Sequence, residues 1–140
     1  MRRLTFSLAL ALTPVMAVAQ DQVLGRFDNY TAFETDVTTA LAKGEVIELI
    51  GRITDLTALT VAQRAQFEQE IAQNWPAGFT NSSVMLDETM GEFTREIRAF
   101  WNDEAQYGYF YAYLHRLPSG DVQVVHFGLN RDVTETFKLF

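Results

Sequence analysis

The spacing of apolar residues divides the chain into a helical part and a strand part, which meet near Gly78. Between residues 30 and 75, apolar side chains recur every three or four positions, which is the period of a helix with one buried face. After Gly78 they alternate with polar side chains, which is the period of a strand. The pattern therefore predicts helices first and a sheet second.

The first helix is predicted from an apolar face that consists of Tyr30, Phe33, Val37, Ala40 and Leu41. Its N-terminal cap is either a capping box formed by Thr31 and Glu34 or Asp28 one turn earlier. Lys43 and Gly44 give the stop signal, because glycine adopts the left-handed conformation that closes many helices. A helix over about 30–43 follows from these signals.

Two further helices precede residue 78. The second is short, is interrupted near Gly51, and has the apolar positions Val46, Leu49, Ile50 and Ile53. The third begins at Thr60, where Thr60 and Gln63 match a capping box. It runs to Trp75 with an apolar stripe of Phe67, Ile71 and Trp75, and Pro76-Ala77-Gly78 ends it.

Four strands are predicted over 80–88, 92–101, 107–116 and 122–129. The last stretch, 132–140, is read either as a fifth strand or as a helix capped by Asp132 and Glu135, and we favour the strand. Short loops make neighbours in sequence the default pairing partners, so the strands are expected in chain order. The fold class is α+β, with N-terminal helices packed on a curved antiparallel meander of four to five strands.

The third predicted strand, YGYFYAYLHR, places tyrosines at every second position. Tyr107, Tyr109, Tyr111 and Tyr113 share one face of the strand, and Phe110, Ala112 and Leu114 share the other. The aliphatic face is expected to lie beneath the helices as the dry core. The tyrosine row is read either as cross-strand aromatic pairing on a wet sheet face or as the lining of a ligand site.

Strand 92–101 carries charge on both faces. Arg95 interrupts the apolar row of Phe93, Ile97, Ala99 and Trp101, so we expect it to pair with an acidic side chain from a helix or to meet an anionic ligand. Glu96 and Arg98 alternate onto the other face, where an exposed ladder is expected.

His126 follows Val122 and Val124 at strand spacing, which predicts that it is at least half buried on their face. Tyr111, Ala112 and Tyr113 are the alternatives for its neighbour across the hairpin. A histidine bonded to a tyrosine hydroxyl is suited to proton transfer near neutral pH, although a structural role is the commoner one.

Residues 1–19 are predicted to be a Sec-type signal peptide. Arg2 and Arg3 precede an apolar run, and Ala17-Val18-Ala19 matches the cleavage site before Gln20. The remaining residues, 20–140, form one predicted domain without a membrane span, located in the periplasm or outside the cell.

Composition narrows the partners of this predicted domain. The whole chain has a net charge of −7 and no cysteine. Removal of the two signal arginines lowers the charge to −9, which disfavours nucleic acid and anionic lipid. Neither histidine has metal-ligand spacing, and no nucleophile motif or phosphate loop occurs, so no metal, no cofactor and no catalytic residue is predicted.

The order of elements, two or three helices followed by a curved meander with aromatic residues on one sheet face, resembles the NTF2-like (cystatin-like cone) superfamily. The resemblance covers most of residues 20–140 and rests on no sequence motif. It implies a pocket lined by the concave face of the sheet, and the positions it singles out are Arg95, Trp101, Tyr109, Tyr111, Tyr113 and His126.

Two functions are carried forward from the sequence. The first is a non-catalytic module that binds a small molecule or a protein through the tyrosine-bearing sheet face. The second is an isomerase- or dehydratase-type enzyme that uses His126 with a tyrosine hydroxyl. A homodimer interface on the same face is a third use of the tyrosines.

Overall fold

A computed structural model describes residues 23–138 of the chain. These residues form a five-stranded antiparallel sheet with helices packed against it, in the order β1-β5-β4-β3-β2. The predicted α+β class and the chain-order meander are confirmed. The predicted signal peptide, residues 1–19, lies outside the described residues.

Helix α1, Tyr30–Lys43, ends at Gly44 as predicted, with φ 74°. A side chain at Gly44 is also excluded by space, because its Cβ would lie 2.1 Å from the Ala77 carbonyl oxygen. Both predicted N-terminal caps are wrong. Asn29 caps the helix, and its Oδ1 accepts a hydrogen bond from the Ala32 N–H at 2.8 Å.

Helix α2, Val46–Ile53, continues through Gly51, so the predicted interruption is wrong. A short 3-10 turn, Leu56–Ala58, follows it. Helix α3, Val61–Asn74, begins after Thr60 with both hydrogen bonds of the predicted capping box in place. The apolar period therefore located all three helices.

The main sheet strands are β2 Asn81–Met90, β3 Phe93–Trp101, β4 Tyr107–Arg116 and β5 Val122–Asn130. A two-residue strand, β1 Arg26–Phe27, pairs with the outer side of β5. Its length is too short to produce a period, which is why the sequence did not predict it.

Two β-bulges interrupt the ladders. In the β4–β5 pair, Tyr113 lies opposite His126 and Leu114 opposite Val124, so Val125 is the extra residue. In the β2–β3 pair, Met85 is the extra residue. A bulge reverses the face that each later residue occupies. His126 therefore lies on the face opposite to Val122 and Val124, and its predicted burial with them is wrong.

Residues 133–137 form a helix, α4 (Val133–Phe137), and our preference for a strand there is wrong. The Asp132 side chain accepts hydrogen bonds from the N–H groups of Thr134 and Glu135, at 2.7 and 3.3 Å. These bonds satisfy the free donors of a helix start, as the alternative capping prediction required.

The core lies between the helices and the Phe110 side of the sheet. Phe33 of α1 is fully buried and its ring centroid is 6.1 Å from that of Phe110. Ala112, Leu114 and Val122 belong to the same cluster. Burying each large apolar side chain contributes roughly 1.5–3 kcal/mol, so this layer is the main source of stability in a chain without disulfides. No helix within residues 23–138 combines the length and the apolar run that a bilayer crossing needs.

Candidate ligand-binding site

The six residues singled out by the sequence all lie on the sheet surface opposite α1, which we call the tyrosine face. It carries the side chains of Arg95 and Trp101 from β3, Tyr109, Tyr111 and Tyr113 from β4, and His126 from β5. The predicted alternation of the tyrosines against Phe110, Ala112 and Leu114 is confirmed.

The register brings only part of this set together. Arg95 lies opposite Tyr113, which in turn lies opposite His126. Tyr111 is two residues along β4 from Tyr113 and packs beside the same histidine. Trp101 is six residues from Arg95 on β3, or about 20 Å away at about 3.3 Å per residue. Trp101 is therefore remote from the cluster of Arg95, Tyr111, Tyr113 and His126.

Arg95 is held by its neighbours within the sheet. Its Nη2 lies 2.5 Å from Glu88 Oε2 on β2. The hydrogen bond to Glu88, followed by that to Tyr113, raises the pKa of Arg95 above its ordinary value. The prediction of an acidic partner from a helix is wrong, because the partner comes from the adjacent strand.

Tyr111 and His126 make a long polar contact on this face. The Tyr111 Oη lies 3.5 Å from His126 Nε2, and the His126 side chain is exposed to solvent. Burial, with a smaller effect from Tyr113, raises the pKa of the Tyr111 hydroxyl. A long contact between a protonated phenol and a solvated imidazole is a weak basis for proton transfer.

The centre of the tyrosine face is buried and its ends are open. Ile97 is 0 % exposed and Tyr111 7 %, whereas Tyr107 is 45 % and Phe93 42 % exposed. Phe93 stacks on His115, with ring centroids 4.5 Å apart. The face is thus neither a flat wet surface nor a row of freely accessible rings.

A buried polar cluster occupies the opposite face of β3. Arg98 Nε donates to Glu96 Oε1 at 2.8 Å, and Arg98 Nη2 donates to Glu34 Oε1 at 2.7 Å. The Tyr30 hydroxyl donates to Glu96 Oε2 at 2.6 Å and accepts from Arg98 Nη2 at 2.9 Å. The Arg98 side chain is 4 % exposed and that of Glu96 0 %, so the predicted exposed ladder is wrong.

The cluster fixes the protonation of its members. Burial and the hydrogen bond to Glu96 raise the pKa of Tyr30 to about 12, so the phenol keeps its proton. Burial alone would lower the pKa of Arg98, but the hydrogen bonds and charges of its carboxylate partners outweigh it and raise the value. The cluster joins α1 to β3 as a fully paired structural unit.

A largely apolar cavity lies under α3, and we call it the α3 cavity. Its volume is about 450 Å³, within the range of roughly 300–1,000 Å³ that is usual for ligand sites. Helix α3, the segment after α2 and the end of β5 form its walls. The lining residues are Ile50, Thr54, Asp55, Leu56, Leu59, Phe67, Ile71, Trp75, Phe127 and Leu129.

Helix α3 covers this cavity loosely. None of its residues is buried, and Phe67, Ile71 and Trp75 reach the core only as partly buried side chains. Val61 at its start is 89 % exposed. A helix held by one thin stripe of partly buried contacts is expected at the low end of local stability.

The sequence identified the stripe of α3 but not the cavity. Strict alternation along β5 would put Phe127 and Leu129 on the face opposite to Val122 and Val124, whereas the Val125 bulge brings all four to the helix side. One signal was present: the apolar residues of β5 change phase between Val124 and Phe127. That change indicates a bulge and returns Phe127 to the helix side.

A polar groove lies on the other side of α1, between that helix and β2. Threonines of α1 and Ser82 and Ser83 of β2 line it, together with Glu34 and Arg98. Both charged side chains already belong to the buried cluster. The groove therefore offers chiefly hydroxyl groups.

Among residues 23–138, no three or more histidine or acidic side chains are grouped so as to hold a metal ion. No protein-family model, curated protein or solved structure matches this chain. The arrangement of helices on an antiparallel sheet is compatible with a cone-like α+β fold. A fold does not define a function, so the function of this protein follows from the chemistry of its sites.

Proposed function

We propose that this protein is an exported, non-catalytic module that binds a small, mainly apolar molecule in the α3 cavity, on a fold of the NTF2-like type. The export rests on the signal-like residues 1–19, and the fold type on the order of the helices and strands. The observation that carries the proposal is the cavity, with its apolar walls and two polar residues at one side, Thr54 and Asp55.

The composition of the walls supports this proposal. Ligand pockets are lined predominantly by apolar and aromatic side chains, with a few polar groups that fix orientation. The α3 cavity has three aromatic residues, five aliphatic ones and the Thr54–Asp55 pair. A cavity of this size has the volume of about 15 molecules of liquid water at about 30 Å³ each, enough for a ligand of one ring and a short chain.

A second candidate is binding at the tyrosine face, and the gathering of Arg95, Tyr111, Tyr113 and His126 on one surface favours it. The exposed ring of His126 and its long contact with Tyr111 weigh against the enzymatic alternative. The buried centre of the face also weighs against easy access to the tyrosines. We therefore rank the α3 cavity first.

The two tryptophans distinguish these candidates. Trp75 lines the α3 cavity and Trp101 lies on the tyrosine face, and the chain has only these two. Trp101→Phe and Trp75→Phe thus give proteins with one reporter each. Titration with 4-cyclohexylbutan-1-ol, which does not absorb in the tryptophan range, is expected to change the emission of Trp75 and to leave that of Trp101 unchanged.

A blocking variant completes the test. Ile71→Phe adds volume within the cavity and should abolish the response, while Val61→Phe makes a comparable addition at an exposed position of the same helix and should preserve it. Binding at 100 times Kd adds about 2.7 kcal/mol of stability, which thermal unfolding detects. Two outcomes would refute the α3 cavity as the site. One is a change of emission from Trp101 alone, and the other is a Trp75 response that persists in Ile71→Phe.

A further inference from the structure

The α3 cavity has a charged group at its polar side. Asp55 lines the cavity and also caps the 3-10 turn, since its Oδ1 accepts from the Thr57 N–H at 2.8 Å and from the Thr57 hydroxyl at 2.5 Å. Its second oxygen, Oδ2, has no hydrogen-bond partner among residues 23–138. One carboxylate oxygen is therefore available to a ligand.

The charge of this group is unbalanced locally. The hydrogen bonds from the Thr57 side chain and backbone lower the pKa of Asp55, so the carboxylate is ionised at neutral pH. No lysine, arginine or histidine is among the residues that line the cavity. The nearest basic residue along α2, Arg52, is paired with Asp36 at 2.9 Å.

We infer that the ligand carries a protonated amine at one end, an inference that rests on the function proposed above. The amine would bind Asp55 Oδ2, and the apolar body would lie between Phe67, Ile71 and Leu129. A neutral ligand would leave the carboxylate with water alone, and an anionic ligand would be repelled by it. The net charge of −7 acts in the same direction, because it favours approach of a cation.

The solvent exposure of Asp55 sets how strongly the site prefers an amine over an alcohol. Asp55 is an exposed residue, so its ion pair with an amine is worth only as much as a surface pair. We expect an amine to bind about two- to five-fold more tightly than the alcohol of the same shape, and the preference to shrink as salt is added. Most of the affinity would still come from the apolar body.

The test uses three probes with one body: 4-cyclohexylbutylamine, 4-cyclohexylbutan-1-ol and 4-cyclohexylbutanoate. Their dissociation constants are measured by Trp75 emission in the Trp101→Phe protein. Asp55→Asn removes the charge but keeps the turn, because asparagine is an equally good helix cap. Glu48→Gln removes one charge from the exposed side of α2, outside the cavity lining, and serves as the matched control.

The expected result is the order amine, alcohol, carboxylate, with Asp55→Asn making amine and alcohol equal and Glu48→Gln preserving their difference. Equal binding of all three probes, tighter binding of the carboxylate, or an unchanged amine preference in Asp55→Asn would overturn the amine inference and leave the α3 cavity standing. Absence of any Trp75 response to any probe would overturn the proposed function, and this inference with it.

Discussion

The two faces of β3 carry arginines three residues apart that differ in almost every physical respect. Arg98 points towards α1, is 4 % exposed, and is bonded to two carboxylates and a phenol. Arg95 points to the tyrosine face, is 25 % exposed, and pairs with a half-exposed Glu88. The comparison teaches that the energetic weight of a charge on this sheet depends on which side the helices cover.

The sharpest test of this comparison is Arg98→Met against Arg95→Met. Removing Arg98 leaves the fully buried Glu96 carboxylate without its cation, which typically costs about 3–5 kcal/mol. Removing Arg95 breaks a partly exposed pair, for which about 0–1 kcal/mol is typical. Urea unfolding of the two variants measures both free energies.

Equal losses in the two variants would contradict the distinction between the faces. A further arm is Glu96→Leu combined with Arg98→Met. Replacing a buried pair by apolar residues is often neutral or stabilising, so the double variant should recover much of the stability lost in Arg98→Met.

The next largest loss of stability is expected when Gly108 or Gly128 is replaced by alanine, because neighbouring side chains cover both glycines. A Cβ at Gly108 would lie 2.5 Å from Trp75 Cζ3 and 2.8 Å from Phe79 Cζ, on the helix side. Overpacking of a core typically costs about 1–3 kcal/mol, and we expect Gly108→Ala to be destabilising by that amount. Because Trp75 must move, its emission should shift as well.

Gly128→Ala is the counterpart on the tyrosine face. Its Cβ would overlap Cε1, Cζ and Oη of Tyr111, and that side chain is 7 % exposed, so the ring would have to be displaced within a packed surface. Thermal unfolding should therefore show a loss comparable to that of Gly108→Ala, about 1–3 kcal/mol. A larger loss would mean that the tyrosine face is the more tightly packed of the two.

A smaller effect is expected at alkaline pH. The pKa of Tyr30 is about 12 against an ordinary 10.0, so the folded protein holds the phenolic proton more tightly than the unfolded chain. Stability from this difference is complete below pH 10 and is lost as the pH rises towards 12. Urea midpoints between pH 9 and 11.5 should decline less in Tyr30→Phe than in the wild type, while Tyr107→Phe, at an exposed position, should keep the wild-type decline.

The local pattern of the sequence was sufficient for most of the fold. Helical and strand periods placed α1, α2, α3 and the four long strands within about two residues, because each element buries one continuous face. The N-terminal cap of α1 was missed because Asp28, Asn29 and Thr31 are all capable of capping, and only the chain path selects one.

The faces of β3 were assigned in reverse because they were ranked by apolar content on one strand alone. Phe93, Ile97 and Trp101 outweigh Thr94 and Phe100, yet the helices cover the side where β4 carries Phe110 and Leu114. The pairing of Trp101 with Tyr107 across the turn decides the matter. The composition of one strand can be read from a single sequence, but its pairing with other strands is much harder to predict.

The candidate sites differ in how far the sequence could reach them. The row of tyrosines follows from alternation within β4, whereas alternation alone put His126 with Val122 and Val124, which lie on the helix side. Only the family resemblance grouped the six residues. The α3 cavity depends on the Val125 bulge, which the change of phase in β5 indicates, and on the packing of α3 against the end of β5, which is tertiary. No local stretch of the sequence encodes that packing.

The outer strand has a consequence for the behaviour of this protein in concentrated solution. β2 offers its free side over ten residues, and no other described strand pairs there. Such an edge is a template for stacking of one copy on the next, which can grow into fibres. The negative charge of Asp87 and the bulge at Met85 are features that make such an edge a poor template, so we expect stacking along β2 to be weak.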